Sequence, residues 1–116
     1  MSKSQNTERT RRATFYNWFP MIINSDERQW TWMDEGLNTF VQYLAEQSFS
    51  PDYPSRRGVP DKIVGFMTSD KQVPIMTNSE SLLQFGNNAY GKPATALNIL
   101  RETVKLRRFS IGRYMR

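Results

Sequence analysis

Cysteine and histidine are both absent from this chain of 116 residues. Without cysteine, the chain has no disulfide, no thiolate metal ligand and no cysteine nucleophile. Without histidine, the serine–histidine and cysteine–histidine catalytic pairs are excluded. Zinc sites are built mainly from these residue types, whereas the remaining carboxylates suit magnesium or calcium better. The sequence therefore excludes the commonest hydrolytic arrangements and the usual self-contained zinc site.

Long apolar runs are also absent, since no stretch approaches the ~18 residues that a membrane span requires. The first twelve residues, "MSKSQNTERTRR", are not followed by an apolar core. We therefore predict no transmembrane segment and no secretory signal, and we expect a cytoplasmic location by default. The glycines are isolated and match no phosphate-binding motif. The length fits one small domain.

Basic charge is confined to the two ends of a chain whose net charge is +5. Residues 1–12 have a net charge of +3 and residues 105–116 one of +5, whereas residues 13–104 sum to −3. Electrostatic binding to nucleic acid or to an anionic surface would therefore depend on the ends. We keep such binding as the less favoured function and do not expect nucleic acid as a partner.

The middle of the sequence predicts helices joined by irregular segments. A short helix in "RATFYNWFP" is interrupted by Pro20. Ser25 or Asp26 is a typical N-cap for a second helix. Its apolar face repeats at helical spacing at Leu37, Phe40, Val41, Leu44 and Ala45. The prolines and glycine of "SFSPDYPSRRGVP" predict a loop, and Pro60 fits the first turn of a short helix that reaches Met67.

The last helix is the best defined by its pattern. "NNAYGKPATALNILRETV" offers Asn87 or Asn88 as a cap and places Pro93 early. Its apolar face contains Ala94, Leu97, Leu100 and Val104, with Ala96 and Ile99 beside them. Before it, "SESLLQF" predicts a short helix or turn closed by Gly86. We therefore predict a mainly α chain of about four helices with long loops.

Three segments of the chain share a pattern with a known family: "NWFP", "RQWTWMDEGLNTFVQYLAEQ" and "YGKPATALNILRETV". They resemble the zinc metalloaminopeptidase family that includes alanyl aminopeptidase and leukotriene hydrolase (the gluzincins, peptidase family M-one). The resemblance implies a partial metallopeptidase catalytic domain at residues 17–104, between a divergent basic segment at 1–16 and a divergent basic tail at 105–116. It implies the helical part of a thermolysin-like domain. Frameshift or truncation would explain ends that resemble nothing in the family.

In that family, zinc is bound by the two histidines of H-E-x-x-H and by a glutamate after eighteen further residues. The resemblance implies that Glu35, in "DEG", is that third ligand. The second histidine would then stand at Tyr16, the first at Arg12, and the general-base glutamate at Ala13. All of these are missing. We therefore expect Glu35 to be a vestigial zinc ligand, and this chain alone not to bind the family's zinc.

The resemblance also implies a catalytic role for Tyr90 in "Y-x-K". In the family, this hydroxyl donates a hydrogen bond to the oxyanion of the tetrahedral intermediate, which can lower the barrier by a few kcal/mol. Lys92 is present, but Gly91 and Pro93 depart from the family's Y-E-K-G. The G-x-M-E-N loop that binds the substrate's free amine has no counterpart. The implied family activity is hydrolysis of N-terminal peptide bonds in peptide substrates.

Simpler interpretations of these residues remain open. An acid near a helix start, such as Glu35, most often interacts with the helix dipole or with solvent. Tyr90 alone would most often be a packed tyrosine with a satisfied hydroxyl. Besides an inactive metallopeptidase segment, the chain could therefore be a pseudoenzyme or helical adaptor that binds a partner chain. Apolar helix faces without their original neighbours would need such a partner.

Overall fold

The computed structural model describes residues 16–17 and 21–114, with residues 107–114 as backbone alone. Its α-helices are α1 (Leu37–Phe49), α2 (Val64–Met67) and α3 (Lys92–Tyr114). The described part of the chain contains no strand, so the prediction of a mainly α chain is confirmed there.

The helix count differs from the prediction of about four. The short helix expected around Pro20 falls largely outside the described residues. "SESLLQF" forms only the 3₁₀ turn Ser79–Ser81, and Gly86 opens the next helical segment instead of closing this one. Pro60 does begin a helical turn, the 3₁₀ turn Pro60–Lys62, directly ahead of α2. At the turn Ser79–Ser81, the Asn78 side chain accepts a hydrogen bond from the backbone N–H of Glu80. This bond satisfies the backbone donor without a longer helix.

Each long helix begins with a π-helical turn. The first π turn, Trp32–Gly36, leads into α1, and the second π turn, Gly86–Gly91, leads into α3. In the second, the Lys92 N–H donates to the carbonyl of Asn87, five residues back. Pro93 follows, and in a regular α-helix its ring would clash with the carbonyl four residues earlier. The wider turn relieves that clash; such turns are frequent at functional sites.

The expected cap of the second helix at Ser25 or Asp26 is wrong, because the continuous helical segment begins only at Thr31. Asp26 instead begins a separate turn that ends at Trp30. Its carboxylate accepts a hydrogen bond from the Gln29 N–H at 3.2 Å, and its carbonyl accepts one from Trp30 at 2.8 Å. A short acidic side chain that bonds its own local backbone competes with helix formation, which explains the later start.

The interior between α1 and α3 is largely polar. In the described residues, the buried apolar side chains are Ile63, Ala89, Pro93 and Ala94. The buried polar residues are Thr31, Asp34, Asn38, Thr39, Glu46, Ser55, Asn88, Thr95 and Asn98. The predicted apolar face of α1 is only half-buried, and the predicted face of α3 is buried at Ala94 but exposed at Leu100 and Val104. Helical periodicity identified these faces but not what covers them.

None of the described helices combines the length and the apolar character that a membrane crossing requires. This agrees with the absence of a long apolar run in the sequence.

Candidate functional site

Glu35 lies in the first π turn, half-buried, where it meets the residue nineteen positions earlier in the chain. The Tyr16 hydroxyl donates a hydrogen bond to the Glu35 Oε2 atom. Tyr16 is the position at which the family resemblance would place the second histidine. The structure thus puts the side chain at that position directly against the carboxylate that the same resemblance names as a zinc ligand.

The two π turns pack against each other through a close backbone approach at Gly36. A Cβ atom built on Gly36 would lie 2.5 Å from the Pro93 Cγ and 3.2 Å from the carbonyl oxygen of Ala89. Only glycine fits at such distances. This contact brings the turn that carries Glu35 against the turn that carries Tyr90.

Tyr90 is half-buried in the second π turn, between a cation and another ring. The Arg57 guanidinium lies 4.6 Å from the centre of the Tyr90 ring, a cation–π distance. The Phe85 ring meets it edge-on, with centroids 5.9 Å apart and planes at 69°. These contacts fix the direction of the ring, which is the property that a positioned hydrogen-bond donor needs.

Asp34 is more deeply buried than its neighbour Glu35, with 4% of its surface exposed. Its Oδ1 atom has no hydrogen-bond partner among the described residues. The pKa of Asp34 is raised to about 6, chiefly by burial and in addition by the negative charges of Glu35 and Glu27. The acidic pair therefore consists of a half-buried carboxylate with a phenol donor and a buried carboxyl group that is harder to ionise than a solvated one.

Asn88 and Lys92 tie the Tyr90 turn to the loop before it. The Asn88 side chain donates to the carbonyls of Lys71 and Leu83 at 3.2 and 2.5 Å, and accepts from the Val73 N–H at 3.2 Å. Lys92 donates to the Val73 carbonyl at 2.5 Å, and burial lowers the pKa of its ammonium group. Asn88, predicted as a possible helix cap, is thus a buried side chain that links the second π turn to the backbone of the preceding loop.

The donor set around Glu35 does not fit a resident zinc ion. The described residues contain no group of three or more histidine, cysteine, aspartate or glutamate side chains placed to bind a metal. The side chain that contacts Glu35 is a phenol, and zinc sites in proteins are built from imidazole, thiolate and carboxylate groups.

Several site features could not be found by sequence reasoning. The resemblance marks Tyr16 only as the place of a missing histidine, and no sequence signal indicates its contact with Glu35. Arg57 lies in a segment predicted as a plain loop, and its position over Tyr90 depends on how that loop folds back. The burial of Asp34 had one available signal, the apolar and aromatic residues on both sides of it in "WTWMDEGL".

Comparison with known proteins adds no assignment: no family model matches the sequence, and neither a curated protein nor a solved structure resembles it significantly.

Proposed function

We propose that this chain is the helical part of the catalytic domain of a zinc metallopeptidase, of thermolysin-like type, that hydrolyses N-terminal peptide bonds. By itself the chain is inactive, because one carboxylate cannot hold zinc or activate its bound water. Glu35 is the vestigial third zinc ligand. Tyr90 is the residue whose hydroxyl stabilises the oxyanion in the complete enzyme.

The observation that carries this proposal is the contact between Tyr16 and Glu35. These residues are separated by the spacing at which the family places its second histidine and its ligand glutamate, and their side chains meet. The packing of the Tyr90 turn on the Glu35 turn at Gly36 adds support. A chance similarity in sequence would not require either contact.

Restoring the missing ligands tests the proposal. The changes Arg12→His, Ala13→Glu and Tyr16→His create H-E-x-x-H with eighteen residues between its second histidine and Glu35. We expect this triple variant to retain zinc in equimolar amount after dialysis, and the parent chain to retain far less. Metal content of the purified protein gives the answer, with far-UV circular dichroism to show that the helices are kept.

Two further changes in the triple variant locate the metal. Glu35→Gln should remove the retained zinc, because it replaces a charged ligand by a neutral amide. Glu80→Gln, at an exposed position in the 3₁₀ turn Ser79–Ser81, is the matched control and should leave the zinc in place. Equimolar zinc in the parent chain, or no gain of zinc in the triple variant, would contradict the proposal.

A pseudoenzyme or helical interaction module is the second candidate, and one observation favours it. Large apolar side chains remain exposed on α3, including Ile99 at 52%, Leu100 at 58% and Leu106 at 71%. An apolar surface of this kind is typical of a protein that packs against another chain. A chain that kept the fold of the site, lost its catalytic activity and bound a partner through α3 would show the same exposed side chains.

A further inference from the structure

A pocket of about 270 Å³ lies between α1, α3 and the segment of residues 56–63. The wall formed by α1 includes the side chains of Thr39 and Tyr43, and the opposite wall includes Asn87 and Thr95. Neither Glu35 nor Tyr90 lines this pocket, which adjoins the site described above through Arg57.

Positive charge dominates the lining of the pocket. The segment between α1 and α2 contributes Arg56, Arg57 and Lys62, and Glu46 is the one acidic residue among the lining residues, which leaves a formal charge of +2. Among the described residues, neither Arg56 nor Lys62 forms a salt bridge. The guanidinium of Arg57 is held at the edge of the pocket by its contact with the Tyr90 ring.

The carboxylate of Glu46 is bound by neutral donors. Glu46 is 3% exposed. Its Oε1 atom accepts a hydrogen bond from the Gln42 amide at 2.7 Å, and its Oε2 atom accepts one from the Ser55 hydroxyl at 2.6 Å. The acid therefore anchors the segment that bears the cations.

That segment is held in place before any ligand arrives. Gly58 has a φ of +90° and stands against Tyr43, where a Cβ atom would lie 2.6 Å from the ring. Its carbonyl accepts a hydrogen bond from the Asn98 side chain of α3 at 2.9 Å. With Ser55 bound at one end and the 3₁₀ turn Pro60–Lys62 at the other, the backbone that bears the cations is preorganised. Preorganisation lowers the entropic cost of binding.

We propose that this pocket binds a small doubly charged oxyanion, a phosphate group or a short dicarboxylate. Arginine forks match the geometry of both groups, and charge-assisted hydrogen bonds to them are strong. The hydroxyl groups of Thr39, Tyr43 and Thr95 supply further donors. The volume lies just below the ~300–1,000 Å³ of drug-sized ligand sites, which favours a small ion. This inference does not depend on the proposed peptidase ancestry.

Calorimetric titration of the full chain with inorganic phosphate and with succinate tests the inference, at an ionic strength held constant with chloride. We expect saturable binding of at least one of the two anions. Arg56→Gln and Lys62→Gln should each weaken it about tenfold, because each removes one charged donor. Both side chains are exposed, so both variants should fold as the parent does.

Lys105→Gln is the matched control. It removes the same charge from an exposed position on α3, where the ammonium group pairs with Glu102 at 2.9 Å. The control should bind the anion as the parent does. Gly58→Ala keeps every charge but strains the loop, and should also weaken binding.

The outcomes separate cleanly. Tighter phosphate than succinate binding identifies a tetrahedral anion, and the reverse identifies a dicarboxylate. The absence of saturable binding of either anion would overturn the inference. An equal loss of affinity in Lys105→Gln and in the two pocket variants would also overturn it, because that result would show diffuse attraction to a basic chain.

Discussion

The part of α3 whose side chains the structure describes has an inner half, residues 92–98, and an outer half, residues 99–106. The two halves belong to one continuous helix, yet their surroundings are opposite. In residues 92–98 the side chains of Pro93, Ala94, Thr95 and Asn98 are buried against the rest of the molecule. In residues 99–106 the large apolar side chains Ile99, Leu100, Val104 and Leu106 are 50–71% exposed. The covered side chains of the inner half are small or polar, whereas the exposed side chains of the outer half are large and apolar.

This contrast indicates where the stability of the chain comes from. Burial of apolar surface contributes about 25 cal/mol per Å², and buried polar groups contribute little beyond offsetting their own desolvation. The α1–α3 interface therefore contributes little apolar burial to the free energy of unfolding. In a larger catalytic domain, the exposed apolar half of α3 would supply the missing burial, which agrees with the function proposed above.

The largest effect is expected from breaking the close contact at the inner end. Gly36→Ala places a methyl group 2.5 Å from the Pro93 ring, so either the π turns separate or α1 shifts. We expect a loss of about 3 kcal/mol in the free energy of unfolding, measured by urea denaturation.

Gly65→Ala is the matched control for that substitution. Gly65 lies in α2, and a Cβ atom there would meet nothing within 4 Å. Alanine is also the better helix former, so this variant should be more stable than the parent by up to about 1 kcal/mol. Equal unfolding free energies for the two variants would show that the Gly36 contact does not hold the turns together.

An intermediate effect is expected from the buried acid. The pKa of Asp34 is raised from 3.8 to about 6, so between these values the folded chain binds more protons than the unfolded one. Its contribution to stability is therefore greatest below pH ~4, falls as the pH rises toward 6, and is constant above that. A shift of about two pKa units at ~1.4 kcal/mol each sets an upper limit of about 3 kcal/mol on this loss.

Asp34→Asn separates this effect from other titrating groups. The amide has nearly the same shape and stays neutral, so the variant should gain stability relative to the parent as the pH rises from 4 to 7. Chemical denaturation at several pH values measures the difference. Parallel pH profiles for the two proteins would show that Asp34 is solvated in the folded state.

The sequence predicted the helices better than it predicted their ends and their covered faces. The period of Ala94, Leu97, Leu100 and Val104 correctly indicated α3, because that spacing depends only on local helix geometry. It could not show that coverage ends near Asn98, since periodicity carries no information about a neighbour. The pattern also did not show that the helical segment leading into α1 begins only at Thr31, because Asp26 bonds to the backbone of its own turn.

The candidate site was predictable only residue by residue. Glu35 and Tyr90 were named from a motif, but their common neighbourhood depends on a long-range approach at Gly36 that no local pattern encodes. The second π turn has a local cause in Pro93, but its packing against the first π turn does not. That approach of the two turns depends on tertiary contact.

The smallest effect on stability is expected at the exposed end of α3. Leu100→Ser removes an apolar side chain that is 58% exposed, so the free energy of unfolding should change by less than about 0.5 kcal/mol. Leu97→Ser, at a half-buried position of the same helix, should cost several times more. If the outer half serves as a contact surface, Leu100→Ser should also reduce self-association in sedimentation experiments, whereas the folded monomer stays intact. Equal destabilisation by the two substitutions would place Leu100 in a packed interior and remove the contrast between the halves of α3.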